Sequence, residues 1–458
     1  MILKGGFKTP GIFNFWRRGW FFLLALALVA CIPSRLNLPQ SPLFHSLERK
    51  SGLIVYVGQD GNIYTLDQEG KHQTTLSGEV TAPEALVGRE LFFQFPAWSP
   101  DGRKVAFVGF VSSGPIIEEV TLYTVSRNGQ DLVEIWKSSE QFPFYLYWSP
   151  DGKRLSFLAT APGASQATLQ IVPAGGGEAQ VLGTGAPIYW DWSPDNHTLL
   201  IHSDKSSASE DEPLLAFLNI RAEGKEPVEK KLDVRPARFQ APAYSPDGDE
   251  LLLAGETGQA GNEGLLLLDK EGHIKKVLAS IEGPVAFGWS PDGEWVAYVN
   301  GRDANSPDAP RSLVVLDPQD PEGTRTSIDE VVVAFFWSPN SQRIAYFVPS
   351  QGTNTASPDS NGSSPTGPEL YLNLHILDVR SKKSLLVASF QPTEDFVNFL
   401  FYFDQYQRSA TIWSPDSRNL VVSARRDQGK SGIFIVEASG NLESRYLTNG
   451  ILALWSGH

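Results

Sequence analysis

From residue 51 onward, short apolar runs alternate with short polar breaks. Val105-Ala106-Phe107-Val108, Leu155-Ser156-Phe157-Leu158 and Val296-Ala297-Tyr298-Val299 have strand length. Longer runs, such as Phe142 to Trp148 and Val331 to Trp337, are apolar on both faces. That pattern predicts sheets covered on both sides, because a solvent-facing strand would alternate cleanly. The breaks repeat as well. Trp98-Ser99-Pro100-Asp101-Gly102 returns as Trp148-Ser149-Pro150-Asp151-Gly152, Trp192-Ser193-Pro194-Asp195, Tyr244-Ser245-Pro246-Asp247-Gly248 and Trp289-Ser290-Pro291-Asp292-Gly293. It then returns as Trp337-Ser338-Pro339-Asn340 and Trp413-Ser414-Pro415-Asp416. The steps between the aromatic positions are 50, 44, 52, 45, 48 and 76 residues. A period of 40–50 residues signals a propeller or a solenoid.

The break is built to turn the chain. Pro presets φ, Asp bonds its own backbone, and Gly tolerates positive φ. Two further strands follow each such hairpin, as in Gly264 to Asp269 with Ile274 to Leu278, and Gly432 to Val436 with Tyr446 to Thr448. Four antiparallel strands per repeat make a propeller blade. Residues 53–77 hold strands at Leu53–Val57, Ile63–Leu66 and Thr74–Leu76, a blade lacking its first strand. The final run, Ile451 to Trp455 followed by Ser456, is a first strand with nothing after it. Joined, the two ends make one blade, so the fold class is all-β: an eight-bladed propeller closed by its C-terminal strand. Closure removes exposed sheet edges.

The repeat resembles the WD40-like propeller repeat of the TolB family, which also recurs in propellers of tricorn-type and prolyl-oligopeptidase-type proteases. The resemblance covers residues 51–458. It implies a propeller without implying an activity. TolB itself has six blades behind a small α/β domain, for which this chain has no room.

The leader follows different rules. Residues 1–18 carry Lys4, Lys8, Arg17 and Arg18 and no acid, and residues 19–30 are uniformly apolar. Twelve residues are too short to span a bilayer core as a helix but suit a signal peptide. Leu28-Val29-Ala30-Cys31 resembles a bacterial lipobox, which implies cleavage before Cys31 and lipid on that residue. Arg17-Arg18 faintly resembles a twin-arginine export signal. The expected organisation is a lipoprotein-type signal peptide at 1–30, a tether at 31–50 carrying Pro33, Pro39 and Pro42, and the propeller at 51–458. The expected location is extracytoplasmic and membrane-anchored.

Composition narrows the chemistry. Cys31 is the only Cys of 458 residues, which excludes disulfide scaffolds and Cys-rich metal modules. Seven of the twelve Trp (98, 148, 192, 289, 337, 413 and 455) mark the repeat, with Tyr244 in the eighth place. The formal charge is −14, and it becomes −18 once the four basic residues of the leader are removed. Nucleic acid is a poor partner for such a surface. G-x-S-x-G, Walker A, H-E-x-x-H, C-x-x-C and the Rossmann glycine pattern do not occur. His197 and His202 fall on opposite faces of one strand and make a poor metal pair. No metal or cofactor is expected, and a monomer is.

Departures from the repeat locate candidate function, because insertions map to loops. Within the 76-residue step, residues 349–368 read as a polar, flexible loop. Residues 391–408 crowd Phe396, Phe399, Phe401, Tyr402, Phe403 and Tyr406 among Glu394, Asp395, Asp404 and Arg408. This segment is expected at one rim of the axial channel. The candidate ligand-binding residues are Phe399, Tyr402, Asp404, Tyr406, Tyr189 and Trp190, where rings either pack between blades or line a funnel for a sugar or peptide. Ser206 to Glu212 is an acidic loop with solvation as its default role. Three functions fit: binding a protein or glycan partner at the envelope, hydrolase or lyase chemistry on saccharide or peptide with acids such as Asp191 and Asp404, or a sensor or assembly role.

Overall fold

The computed structural model describes residues 52–78, 88–161, 163–204, 213–220, 226–237, 239–258, 262–300, 312–351, 369–426 and 430–457. The leader, Cys31, the tether and the acidic loop at 206–212 lie outside the described residues. Among the described residues, no helix is long and apolar enough to cross a membrane.

The described strands form eight antiparallel sheets, each paired in meander order. Blade 1 is the composite one. Its inner strand Leu452–Trp455 pairs with Ile54–Val57, which pairs with Ile63–Leu66. Blades 2 to 7 have inner strands Glu90–Trp98, Phe142–Trp148, Ile188–Trp192, Ala243–Tyr244, Val285–Trp289 and Ala334–Trp337. In blade 8 three regular strands, Asn419–Arg425, Ser431–Glu437 and Arg445–Asn449, stand behind an interrupted inner strand.

The seven internal turns share one hydrogen-bond set. The Ser hydroxyl donates to the Asp or Asn side chain at 2.5–2.8 Å in each. The same oxygen accepts the main-chain N–H five residues on, at 2.9–3.0 Å. The residue after the Asp or Asn has positive φ throughout: Gly102, Gly152, Asn196, Gly248, Gly293, Ser341 and Ser417. Where Gly is missing, the side chain has a job. Asn196, Ser341 and Ser417 each accept the N–H of the turn residue Asp151, Asp292 or Asn340 in the preceding turn of the ring. Ring closure reuses this pattern with no connecting turn: Ser456 Oγ accepts the N–H of Leu53 at 2.9 Å, and Ser456 N–H donates to Leu53 C=O at 2.8 Å.

The repeat aromatics fasten blade to blade. Trp148 Nε1 donates to Ala97 C=O and Trp413 Nε1 to Phe336 C=O, both at 3.0 Å, and Trp98 Nε1 reaches Leu454 C=O at 3.4 Å. Each acceptor stands just before the repeat aromatic of the preceding blade. Trp192 Nε1 instead donates to Ser156 Oγ, and the indole nitrogens of Trp289 and Trp337 are buried with no hydrogen-bond partner among the described residues. Tyr244, in the eighth place, is deeply packed, and burial pushes its phenol well up.

Two expectations change. Pro349, Ser350 and Gln351 are not loop; the strand Arg343–Gln351 runs through them and pairs out to Leu370. The segment at 391–408, expected at one rim of the axial channel, is helical. It folds as two short helices, α1 (Glu394–Phe401) and α2 (Phe403–Ser409), inserted inside the inner strand of blade 8. Pro392 bridges Ala424 before the helices, and Trp413 bridges Leu420 after them. The strand is therefore opened at its middle, and the excursion enters the channel.

Candidate functional site

α1 begins at Thr393, whose hydroxyl oxygen accepts the Phe396 N–H at 3.2 Å and whose hydroxyl donates to Ile451 C=O at 2.6 Å. Glu394 and Asp395 occupy the first turn, where the helix dipole favours acids. Phe396, Phe399, Leu400 and Phe403 follow at helical spacing and are all buried. Phe399 stacks on Phe336 of blade 7 at 5.5 Å, and Phe403 meets Phe335 at 5.3 Å. From Phe399 the rings continue to Tyr406, then Tyr145 of blade 3, then Trp190 of blade 4, at 5.2, 5.1 and 5.1 Å. One aromatic chain thus crosses the channel through the two helices. Buried rings of this size contribute roughly 2–3 kcal/mol each.

Polar groups fix the plug's register. Gln405 bonds both main-chain groups of Trp190, and its Nε2 donates to Tyr145 Oη at 2.8 Å. Tyr145 Oη donates in turn to Gln405 C=O at 2.9 Å. On the opposite side, Gln407 and Arg408 donate to Phe287 C=O of blade 6 at 3.2 and 3.1 Å. α2 therefore touches inner strands of blades 3, 4, 6 and 7.

Beneath the plug lies Asp191. It accepts from Tyr147 Oη and from the N–H groups of Trp192 and Tyr244 at 2.8, 3.0 and 2.8 Å. Burial raises its carboxyl pKa, and the charge of Arg408 with these donors only partly offsets that. Tyr147 is pushed far up, by burial first and then by the Asp191 charge.

The plug does not fill the channel. A cavity of about 620 Å³ remains between the helices and blades 1 to 4. Val57, Leu452 and Leu454 line it from blade 1, and Gln94 to Ala97 from blade 2. Blade 3 contributes Phe144 to Leu146, Leu158 and Ala167, with Gly185 at the end of its outer strand. Blade 4 supplies Ile188 and Tyr189, and the helices supply Asp395, Asn398, Phe399, Tyr402, Gln405 and Tyr406. The mouth lies where the inner strands begin. A smaller cavity of about 240 Å³, lined by Trp98, Tyr147, Trp148, Gln407, Arg408 and Trp455, lies on the turn face; Ser409 and Ala410 border both.

Of the candidate residues, Phe399, Tyr402, Tyr406 and Tyr189 line the larger cavity. Tyr402 is 49% exposed and Phe401 76%, and the two rings meet edge-on at 4.9 Å. Phe399 is 3% exposed, so its main contribution is to hold the plug. Trp190 is fully buried and donates to Ser156 Oγ at 2.9 Å; it is a core residue and not a lining one. The reason is the pleat: Tyr189 faces blade 5, where it lies 4.6 Å from Phe239, so its neighbour must face blade 3. Asp404 is absent from the lining; its carboxylate accepts the Gln405 N–H at 3.0 Å. Asp191 is sealed off and meets no second acid in either cavity. Asn398, Gln94 and Ala167 carry no signal in the sequence, and Asp395 stands in the 391–408 segment without being among the candidate ligand-binding residues. Among the described residues, no group of three His, Cys, Asp or Glu is placed to hold a metal ion.

No family model and no curated protein matches the sequence. The structure is similar to TolB proteins and other β-propellers. TolB from Acinetobacter baumannii is 14% identical, with 81% of this chain and 83% of that one covered and a TM-score of 0.36. An oligogalacturonate lyase in complex with manganese is 14% identical over 84% and 96% of the two chains, with a TM-score of 0.48. The dihydro-heme d1 dehydrogenase NirN is 16% identical over 93% and 78%, also with a TM-score of 0.48. These likenesses concern the fold.

Proposed function

We propose that this chain is a lipid-anchored propeller of the cell envelope that binds a protein partner, whose apolar segment enters the cavity beside the plug. The observation that carries this reading is the insertion. Residues 394–409 break a strand that the repeat would otherwise complete, and what they build is a bounded apolar pocket at one mouth of the channel. Pockets of this size and character bind ligands. The composition of the lining favours holding over chemistry. Among the described lining residues Asp395 is the one carboxyl, and no His, Lys or Arg stands beside it to act as a second acid or base. A glycan fits less well, since its hydroxyls would face Val57, Leu158, Ile188 and Leu454 without partners.

The anchor rests on Leu28-Val29-Ala30-Cys31 at the end of the apolar leader. Mass spectrometry of the mature N-terminus tests it: a diacylated or triacylated Cys31 is expected, and any other first residue refutes it. The binding reading is tested by capture of the envelope partner with wild-type protein and with Asn398→Ala/Tyr402→Ala. Both substitutions lie at the exposed mouth, so capture should weaken several-fold with thermal stability unchanged. Capture unaffected by the pair, or lost only together with stability, would rule the pocket out as the binding site.

A further inference from the structure

We infer that the occupant of the channel pocket carries a positive charge on an otherwise apolar segment, and that Asp395 is its counter-charge. This rests on the reading of the pocket as the binding site. Among the described residues, the lining is apolar apart from amides and hydroxyls, Asp395 is its one carboxyl, and no Lys or Arg belongs to it. Asp395 is partly buried at the second position of α1, with no ion pair among those recorded for the described residues. Its neighbour Glu394 is exposed and outside the lining, so the acid turned into the cavity has no cationic partner among the described residues. Burial raises the Asp395 carboxyl pKa; a bond from its own main-chain N–H works against that, the adjacent Glu394 charge adds to it, and the net direction is up. A bound ammonium or guanidinium would relieve that cost, whereas an anionic ligand would add to it. The surroundings fit an alkyl or aromatic body: Leu158, Ile188 and Leu454 on the blades, Phe399 and Tyr402 on the helices. The chemical class is thus a cationic amphiphile, such as a Lys or Arg flanked by apolar side chains in a partner protein.

Three probes of one chain length separate charge from apolar fit: n-octylamine, n-octanol and n-octanoate, followed by ligand-observed NMR at neutral pH. Octylamine is expected to bind about fivefold more tightly than octanol, the contribution of a partly screened ion pair, and octanoate more weakly than either. Asp395→Asn should erase the amine's advantage and leave octanol unchanged. Glu394→Gln should leave the advantage intact, which separates Asp395 from the general negative charge of the chain. Ala167→Trp or the more exposed Ala164→Trp should block all three probes by filling the pocket. Equal binding of amine and alcohol, or an amine advantage that survives Asp395→Asn, overturns the charge assignment and leaves the pocket standing. No binding by any probe, or binding untouched by both Trp variants, overturns the pocket itself.

Discussion

The side-chain amide of Gln405 pairs with Trp190 as a neighbouring strand would. Its Oε1 accepts the Trp190 N–H at 3.2 Å, and its Nε2 donates to the Trp190 C=O at 3.0 Å. The inner strand of a blade has a free edge toward the axis, and here one side chain of the plug satisfies part of it. The helices are therefore bonded into the channel wall as well as packed against it.

Gln405→Leu should strand both groups of Trp190 and weaken the hold on Tyr145. With each unpaired buried group costing about 1–3 kcal/mol, a loss of roughly 3–5 kcal/mol is expected. Chemical denaturation checks the magnitude, and hydrogen exchange should rise across 394–409 first. Gln405→Glu tests the same relation through pH. Only a protonated carboxyl can donate to the Trp190 C=O, so that variant should gain stability relative to wild type as pH falls from 7 toward 5. A Glu variant whose pH profile parallels that of wild type would mean that the donated bond contributes nothing.

Ser341 holds a positive φ of 60° and spends its hydroxyl on the Asp292 N–H of the preceding turn, at 3.0 Å. Ser341→Ala keeps the backbone cost and loses the bond, so about 1 kcal/mol of destabilisation is expected. Ser341→Gly loses the bond but relaxes the backbone and should lie close to wild type. Denaturation midpoints that order Gly below Ala would contradict this account of the turns.

His202 is fully buried, 4.7 Å from Phe239, and bonds the Gln240 main chain through Nδ1 at 3.0 Å. Burial pushes its imidazole pKa down to about 4. The unfolded side chain protonates near pH ~6.5, so in between the unfolded state binds the extra proton. The stabilising contribution is therefore complete above about pH 6.5 and is lost as pH falls toward 4, by roughly 3 kcal/mol in all. Urea denaturation at pH 7.5 and pH 5 should show this loss in wild type and a smaller one in His202→Gln. The turn carboxylates act lower. Partial burial works against Asp101 and Asp151, but bonds from Ser99, Ser149 and nearby N–H groups outweigh it and leave their pKa values lowered. Their contribution disappears only below the ordinary carboxylate range. An identical slope in wild type and the Gln variant would show that His202 is not the titrating group.

The fold was legible because its information is local. Ser, Pro, Asp and Gly within five residues specify a turn whose hydrogen bonds close inside it, and the Trp before it reports the blade interface. Closure was legible for the same reason, since Trp455-Ser456 carries the same marker as the internal turns. The plug was half legible. Thr393 before two acids, and apolar residues at 396, 399, 400 and 403, spell a capped helix, a period masked by the density of aromatic residues around it. That the helix enters the channel depends on Gln405 meeting Trp190, 215 positions away in the chain. The pocket was least legible. Its wall gathers Val57, Gln94, Ala167, Ile188 and Asp395 from four blades and the plug, each ordinary in its own neighbourhood. Tyr189 and Trp190 cannot line one cavity together, because the pleat sends adjacent side chains to opposite faces.

The most direct test of the central claim, that the plugged channel is a binding site, is photo-crosslinking in intact envelopes. Benzoylphenylalanine at Asn398, on the exposed mouth, is compared with the same group at Ile116, which is 66% exposed on blade 2 outside the pocket lining. The expected result is one discrete protein adduct from position 398, none of the same mass from 116, and loss of the adduct when Ala167→Trp fills the cavity. Equal adducts from both positions, or a 398 adduct that survives the filled cavity, would contradict the account.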